Sequence, residues 1–277
     1  MRSKMDSLIE EHAAKERQGK ADPQSEGDWL FVEEDTVAKV IGRRVEAIGD
    51  GQVLKLNDLN GPVLGLTFNC HYTNMLACAA KGERLRIYYL DCPDEFAARG
   101  RGDLDIQMTF LEWHTIYPAV LASTCDNGNT KIWDVREKSS KSTYREESDK
   151  GLSCIEVHWN PCDPVLFAVA SKDNYKSPIK IWDVRNNRNV LYEFGNEKGV
   201  SSFSWSSSGL ITSTDIDGVI DCWKVDDNQK PVSWSSSSSG FQEARWCQSG
   251  ATLAAVSSQS LEVYKMPAGP CVWPRKA

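Results

Sequence analysis

A short element that ends in an aromatic residue recurs five times along the chain. Its copies are Arg86-Ile87-Tyr88, Lys131-Ile132-Trp133, Lys180-Ile181-Trp182, Asp221-Cys222-Trp223 and Glu262-Val263-Tyr264. Their aromatic residues are separated by 45, 49, 41 and 41 residues. A second aromatic marker precedes the copies by 18 to 23 residues, at Phe68, Trp113, Trp159, Trp205 and Trp246. Two markers that keep step through five units predict a repeat protein, in which each unit is one supersecondary structure.

The unit at residues 152–184 shows which structure repeats. Residues 152–159 alternate in part between apolar and polar side chains, which is typical of a half-buried strand. Residues 165–170 form a continuous apolar run, as in a strand covered on both faces, and residues 179–184 form a third strand. A more polar fourth strand is expected at residues 190–194. Four strands in a repeat of about 40–50 residues indicate a β-propeller blade, and no helical periodicity lies between the strands.

The clear repeats cover residues 61–266, so the sequence predicts an all-β fold, a β-propeller with five recognisable blades. Residues 28–58 contain three short apolar runs and are expected to add a sixth or partial blade, which extends the propeller domain to residues 28–277. A compact five- or six-bladed ring and a propeller without its first blades both fit this pattern. Residues 1–27 are charged and poor in apolar side chains, which predicts a disordered or frayed helical tail.

Two of the third strands carry a Trp-Asp dipeptide, at Trp133-Asp134 and Trp182-Asp183. With the preceding Leu121-Ala-Ser-Thr-Cys-Asp126, these residues resemble the WD-repeat family. The resemblance implies a hydrogen-bonded network of a strand Ser, a turn Asp and the strand Trp within a blade. The matching residues are Ser123, Asp126 and Trp133, and, across a longer turn, Ser171, Asp173 and Trp182. The Gly-His pair that usually opens a repeat is missing from every unit, so the network is expected to be incomplete.

A closer resemblance is to the N-terminal propeller of the larger outer subunit of the COPII vesicle coat. Four stretches carry it: residues 61–66 with 73, 74 and 77; residues 121–123 with 132–136; residues 177–185; and residues 222–223 with 244–247 and 262–264. It implies a non-enzymatic scaffold for ER-to-Golgi vesicle transport, which binds coat subunits and meets membranes only peripherally, through its partners. The partner-binding segments that follow the propeller in that family have no counterpart in these 277 residues, so binding through them is not expected.

A second function also has residues in its favour. Residues 121–136 resemble the box by which substrate receptors of cullin–RING ubiquitin ligases bind their adaptor, and Trp182-Asp-Val-Arg185 repeats its end. In that family the Arg faces the adaptor, so Arg136 and Arg185 are the candidate partner-binding residues, expected on the same rim of the ring. Blade structure already explains the Trp and Asp of the box, and solvated loop charges would explain the two Arg.

Composition narrows the remaining classes. A net charge of −7 argues against broad binding of nucleic acid or anionic membranes, and no run of 18 apolar residues predicts a membrane span. Nine Cys without a CxxC pair fit the reducing cytoplasm, and the resemblance places the protein at ER exit sites and vesicles. The motifs of common hydrolases, nucleotide-binding proteins and zinc enzymes are absent, so no catalytic, cofactor or metal residues are predicted. Three His residues, at positions 71, 114 and 158, are expected in loops or structural roles.

Overall fold

Every regular element of the described residues is a β-strand. The computed structural model describes residues 29–33, 36–41, 44–49, 52–55, 59, 61–92, 96–99, 107–137, 140–144, 154–173, 178–195, 198–224, 232–235, 240–247, 250–265 and 275–276. In these ranges 24 strands pair antiparallel in six four-stranded sheets, and each sheet uses four strands that are consecutive in the chain. No helix in these ranges could cross a membrane. The predicted tail at residues 1–27 lies outside the described residues.

The first three sheets lie within residues 29–144. Sheet 1 contains β1 (Trp29–Glu33), β2 (Thr36–Ile41), β3 (Arg44–Gly49) and β4 (Gln52–Lys55). Sheet 2 contains β5 (Val63–Phe68), β6 (Met75–Ala80), β7 (Leu85–Tyr89) and β8 (Phe96–Arg99). Sheet 3 contains β9 (Met108–Trp113), β10 (Val120–Cys125), β11 (Thr130–Asp134) and β12 (Ser140–Tyr144). Sheet 1 therefore has the full four strands of a blade.

The other three sheets lie within residues 154–276. Sheet 4 contains β13 (Cys154–Trp159), β14 (Leu166–Ser171), β15 (Ile179–Asp183) and β16 (Tyr192–Phe194). Sheet 5 contains β17 (Val200–Trp205), β18 (Leu210–Asp215), β19 (Val219–Lys224) and β20 (Val232–Ser235). Sheet 6 contains β21 (Phe241–Trp246), β22 (Thr252–Ser257), β23 (Leu261–Lys265) and β24 (Arg275–Lys276). The last strand extends the sixth sheet beyond the clear repeats.

The first strands of successive sheets lie side by side around a central axis, in the order β5, β9, β13, β17 and β21. Each of these strands ends at one of the five upstream aromatic markers. The predicted β-propeller is confirmed, with sheets 2 to 6 as the five recognised blades and sheet 1 as a sixth.

The hydrophobic core consists of layers between neighbouring sheets. Between sheets 4 and 5, for example, Ile179 and Ile181 pack against Phe203, Trp205 and Ile211. All six residues of β18 are buried, because this strand is covered by a sheet on each face. This double cover explains why the second strand of a unit is a continuous apolar or small-residue run in the sequence, without polar alternation.

The Trp-Asp blades contain only part of the expected hydrogen-bond network. In sheet 3, Trp133 is buried and its Nε1–H donates to Ser123 Oγ at 2.9 Å. Asp126 lies exposed in the next turn and accepts a hydrogen bond from the backbone N–H of Gln107 at 3.2 Å. Sheet 5 repeats the first contact, since Trp223 Nε1–H donates to Ser213 Oγ at 3.3 Å, although its sequence lacks the Trp-Asp pair.

Sheet 4 differs from sheet 3 in its register. In sheet 3, Ser123 pairs with Lys131, and the equivalent pair in sheet 4 is Val169 with Lys180. Val169 therefore occupies the position of Ser123. The sequence match of Ser171 to Ser123 was therefore wrong by two residues. Ser171 instead donates from Oγ to Asp173 at 3.2 Å within the lengthened turn.

The first prediction concerns Trp133. Trp133→Ala should lower the free energy of unfolding by about 3–5 kcal/mol, because it deletes a large buried aromatic side chain. Ser123→Ala should cost only about 1 kcal/mol, because it removes one neutral hydrogen bond and little volume. Urea denaturation of the two variants and the wild type measures both values. A loss below about 1 kcal/mol for Trp133→Ala would show that this side chain does not hold the blade.

Candidate functional site

In sheets 2 to 5 the residue directly after the first strand shapes the loop that follows. Asn69 comes after β5, and its Oδ1 accepts hydrogen bonds from the backbone N–H groups of His71 at 2.8 Å and Tyr72 at 3.0 Å. Asn160 and Ser206 hold the loops after β13 and β17 in a similar way. Short polar side chains favour such turns because they accept from backbone groups two or three residues ahead.

His114 takes this role in sheet 3 as a neutral imidazole. Its Nδ1 accepts hydrogen bonds from the backbone N–H groups of Ile116 at 2.9 Å and Tyr117 at 3.1 Å. The ring proton therefore lies on Nε2, which donates to the carbonyl oxygen of Pro164 at 2.9 Å. Burial lowers the pKa of His114, which favours the neutral form that both acceptor contacts require. Because Pro164 belongs to sheet 4, this side chain shapes one loop and joins two sheets.

The same loops are linked from sheet to sheet. The links are Asn69 Nδ2 to Pro118 O (2.7 Å), His114 Nε2 to Pro164 O (2.9 Å), Cys162 Sγ to Ser207 O (3.0 Å) and Ser206 Oγ to Gly250 O (3.5 Å). We call this end of the propeller the loop rim, defined by residues 69–74, 114–119, 160–165 and 206–209 and by the turns after β11 and β15. The links run without a break from sheet 2 to sheet 6, so they hold the loops of the rim in fixed relative positions.

Arg136 and Arg185 both lie on the loop rim, in neighbouring sheets. The residue before each Arg bonds to the adjacent loop: Val135 N–H donates to Ala119 O (2.9 Å) and Val184 N–H to Val165 O (2.8 Å). The two side chains are 75% and 71% exposed. The structure therefore places on the same rim, in neighbouring sheets, the two residues that the sequence singled out.

Each of these guanidinium groups is held by the Asp two residues earlier. Asp134 accepts from the backbone N–H of Arg136, from Nε at 2.8 Å and from a terminal nitrogen at 2.6 Å. Asp183 makes the same contacts with Arg185, and the hydrogen bonds from Arg185 lower the pKa of Asp183. The Trp-Asp-Val-Arg sequence thus builds a turn in which the Arg side chain is preorganised. Less side-chain entropy is therefore lost when a partner binds.

Large apolar side chains project from the same rim. Tyr72, Ile116 and Tyr117 are each about half exposed, and the link from Asn69 to Pro118 brings their two loops together. We define the rim patch as Tyr72, Ile116, Tyr117, Arg136 and Arg185. Tyrosine and arginine are enriched at interface hot spots, so the rim patch is the candidate interaction surface. Sequence reasoning missed its apolar members, because a loop Tyr or Ile carries no signal of exposure.

A cavity of about 650 Å³ lies on the axis between the first strands of sheets 2 to 6. Arg245 of β21 reaches across it to sheet 4, where a terminal nitrogen lies 2.7 Å from Glu156 Oε1. The same side chain donates to Glu243 at 2.7 Å and to the carbonyl oxygen of Phe203 at 2.8 Å. One guanidinium therefore connects sheets 4, 5 and 6.

His158 extends this network to sheet 3. It lies within β13, inside the strand and not after it, with Nδ1 at 2.8 Å from Glu112 and Nε2 at 3.4 Å from Glu156. Burial alone would lower the pKa of His158, but the two carboxylates outweigh burial and raise this pKa to about 9. Burial would raise the pKa of Glu156, but the His158 hydrogen bond and the charge of Arg245 lower it to about 2.

The carboxylates of this network also bind backbone groups. Glu112 Oε2 accepts from the N–H of Trp159 at 2.7 Å, and Glu156 Oε2 accepts from that of Phe203 at 3.0 Å. The described part of the chain contains no group of three His, Cys, Asp or Glu side chains that could hold a metal ion. The contacts of the cluster are those of a structural joint between blades, and the rim patch remains the candidate functional site.

The network predicts how stability changes with pH. His158 binds its proton more tightly in the folded state, so its contribution is complete below pH 6.5 and is lost as pH rises through about 9. Glu156 contributes fully above pH 4.5 and loses its contribution as pH falls toward about 2. Urea unfolding from pH 6 to 10 should show an alkaline loss on the order of 2–3 kcal/mol that His158→Gln lacks. Equal alkaline slopes in the variant and the wild type would contradict the assignment.

Solved structures show the fold that the chain shares with known proteins. A chain in the outer-coat vertex of COPII on membranes superposes with a TM-score of 0.68 and 18% identity, covering 83% of this chain and 67% of that one. The β-propeller domain of Myceliophteria thermophila Cps50 (Swd1) superposes with a TM-score of 0.70 and 12% identity, covering 84% and 80%. No protein-family model matches. The chain is a β-propeller, and its Trp-Asp repeats resemble those of the WD-repeat family.

Curated relatives give a more particular likeness, because the chain resembles SEC31 proteins. It is 27% identical to the Mycosarcoma maydis "Protein transport protein SEC31" over 245 residues, which are 79% of this chain and 17% of the relative. It is 29% identical to that of Dictyostelium discoideum over 173 residues, 60% of this chain and 13% of the relative. It is 26% identical to the mouse "Protein transport protein Sec31B" over 204 residues, which are 71% of this chain and 17% of the relative. The chain thus matches less than a fifth of the length of these three relatives.

Proposed function

We propose that this propeller is a non-enzymatic protein-interaction scaffold of a COPII-type vesicle coat. The observation that carries the proposal is the similarity to SEC31 proteins of a fungus, an amoeba and a mammal, which extends over 60–79% of this chain. The protein would work in the cytoplasm, peripheral to ER exit sites and vesicles, and would reach membranes through other coat subunits. Fold alone does not determine function, so the similarity and not the propeller supports this assignment.

The loop rim supports a scaffold role physically. A propeller closes most strand edges within its blades and presents loops at its two ends as docking surfaces. Here side-chain links join the loops of sheets 2 to 6, and the rim patch adds apolar and cationic side chains that a partner can bury. Preorganised Arg136 and Arg185 would fix the orientation of that partner.

Coat binding can be tested with purified proteins. The chain is mixed with liposomes that carry an assembled COPII coat, and its sedimentation is compared with liposomes that lack the coat. We expect sedimentation only when coat proteins are present. Tyr117→Ala should weaken it about tenfold or more, as truncation of a hot-spot residue does. Ile216→Ala, at an exposed side chain of the β18–β19 turn, is the matched control and should have no effect.

The ligase alternative predicts a different partner for the same two Arg. Affinity purification of the chain from cells is compared with that of the double variant Arg136→Ala, Arg185→Ala. Arg188→Ala, at an exposed neighbour of Arg185, is the control. Coat subunits that co-purify with the wild type support the coat assignment. A ligase adaptor that co-purifies with the wild type and the control, but not with the double variant, would overturn the coat assignment in favour of a substrate receptor.

A further inference from the structure

The polar contacts between sheets 5 and 6 are weaker than those between sheets 4 and 5. Where sheet 4 meets sheet 5, the carboxylate of Glu156 accepts a hydrogen bond from the backbone N–H of Phe203 at 3.0 Å. At the equivalent position one blade later the acceptor is a neutral hydroxyl, Ser202 Oγ, which accepts from the N–H of Ala244 at 3.2 Å. A hydrogen bond to a charged group is about twice as strong as a neutral one, so this contact holds sheet 6 less firmly.

The apolar core between sheets 5 and 6 is also smaller. Among the described residues, the core between sheets 4 and 5 contains ten buried side chains, four of which are Phe or Trp. The core between sheets 5 and 6 contains six, and two of these are Ala. Because hydrophobic stabilisation is proportional to the apolar area that is buried, the described contacts with sheet 5 stabilise sheet 6 less than sheet 5 is stabilised by sheet 4.

Arg245 ties sheet 6 to sheet 4, beyond its neighbour in the ring. Its two terminal nitrogens lie 2.7 Å and 3.4 Å from the oxygens of Glu156, and one of them also donates to the carbonyl oxygen of Phe203 at 2.8 Å. The Glu156 side chain is only 11% exposed, and ion pairs in such surroundings are screened little by salt. The loop-rim links join neighbouring sheets, whereas Arg245 passes over sheet 5. A charged contact is therefore present where the neighbouring interface is weak.

We propose that Arg245 is a strap that holds sheet 6 closed, and that its release lets sheet 6 open as a unit while sheets 3 and 4 stay folded. Proteins open locally in cooperative units that often coincide with supersecondary structures, and one blade is such a unit. Opening breaks the contacts of Arg245, but the contact of His158 with Glu112 lies within sheets 3 and 4 and survives. It also uncovers the side of sheet 5 that carries Ile220 and Cys222. The device needs no partner, so it is independent of the coat assignment.

Amide hydrogen exchange of the full chain measures this opening. In the wild type, β21–β23 should exchange about tenfold faster or more than β10 and β11 of sheet 3. Arg245→Gln removes the charge of the strap and should speed exchange in β21–β23 by a further factor of about ten or more. Ser123→Ala is the control, because it weakens sheet 3, which is folded whether sheet 6 is closed or open. It should speed exchange in sheet 3 and leave exchange in sheet 6 unchanged.

Three results would overturn the proposal. They are one exchange rate for sheets 3 and 6 in the wild type, unchanged exchange of sheet 6 in Arg245→Gln, and faster exchange of sheet 6 in Ser123→Ala. The first comparison needs no variant, so it stands even where a variant does not fold. Thiol labelling gives a second measurement, since Cys222 is half-buried and Cys125 of sheet 3 is buried. Arg245→Gln should speed labelling of Cys222 but not of Cys125, and Arg245→Lys, which keeps the charge, should restore most of the protection.

Discussion

The unpaired inner edge of each blade is the constraint on which the rest of this propeller depends. The first strand ends its sheet, so its axis-facing N–H groups have no partner strand. Side chains of the preceding blade take their place: Glu112 binds Trp159 N–H, Glu156 binds Phe203 N–H, Ser202 binds Ala244 N–H and Ser204 binds Trp246 N–H. These acceptors stand one or three residues before the aromatic marker, which are the positions that strand alternation turns toward the neighbouring blade.

The charges on the axis follow from that constraint. A buried carboxylate is costly unless it is paired, so Glu156 requires cationic partners, and the half-buried Glu112 lies beside the same histidine. His158 and Arg245 are the partners of Glu156, and Arg245 reaches it from two blades away. The cluster resembles an active site in its shifted pKa values, but here those shifts report how one backbone edge is satisfied.

The sequence predicted the features that recur from one repeat to the next. The aromatic markers predicted where five first strands end. The pairing of Trp133 with Ser123 predicted one hydrogen bond inside a blade. The match of Ser171 to Ser123 failed because it was made by counting residues across a longer turn. The pairing of the two strands places Val169, and not Ser171, at the position of Ser123. The contact of Glu156 with Arg245 joins residues 89 apart and depends on where blades meet around the axis, which no local pattern records. A usable signal was present in the polar residue that follows four of the five markers, such as Asn69 and His114.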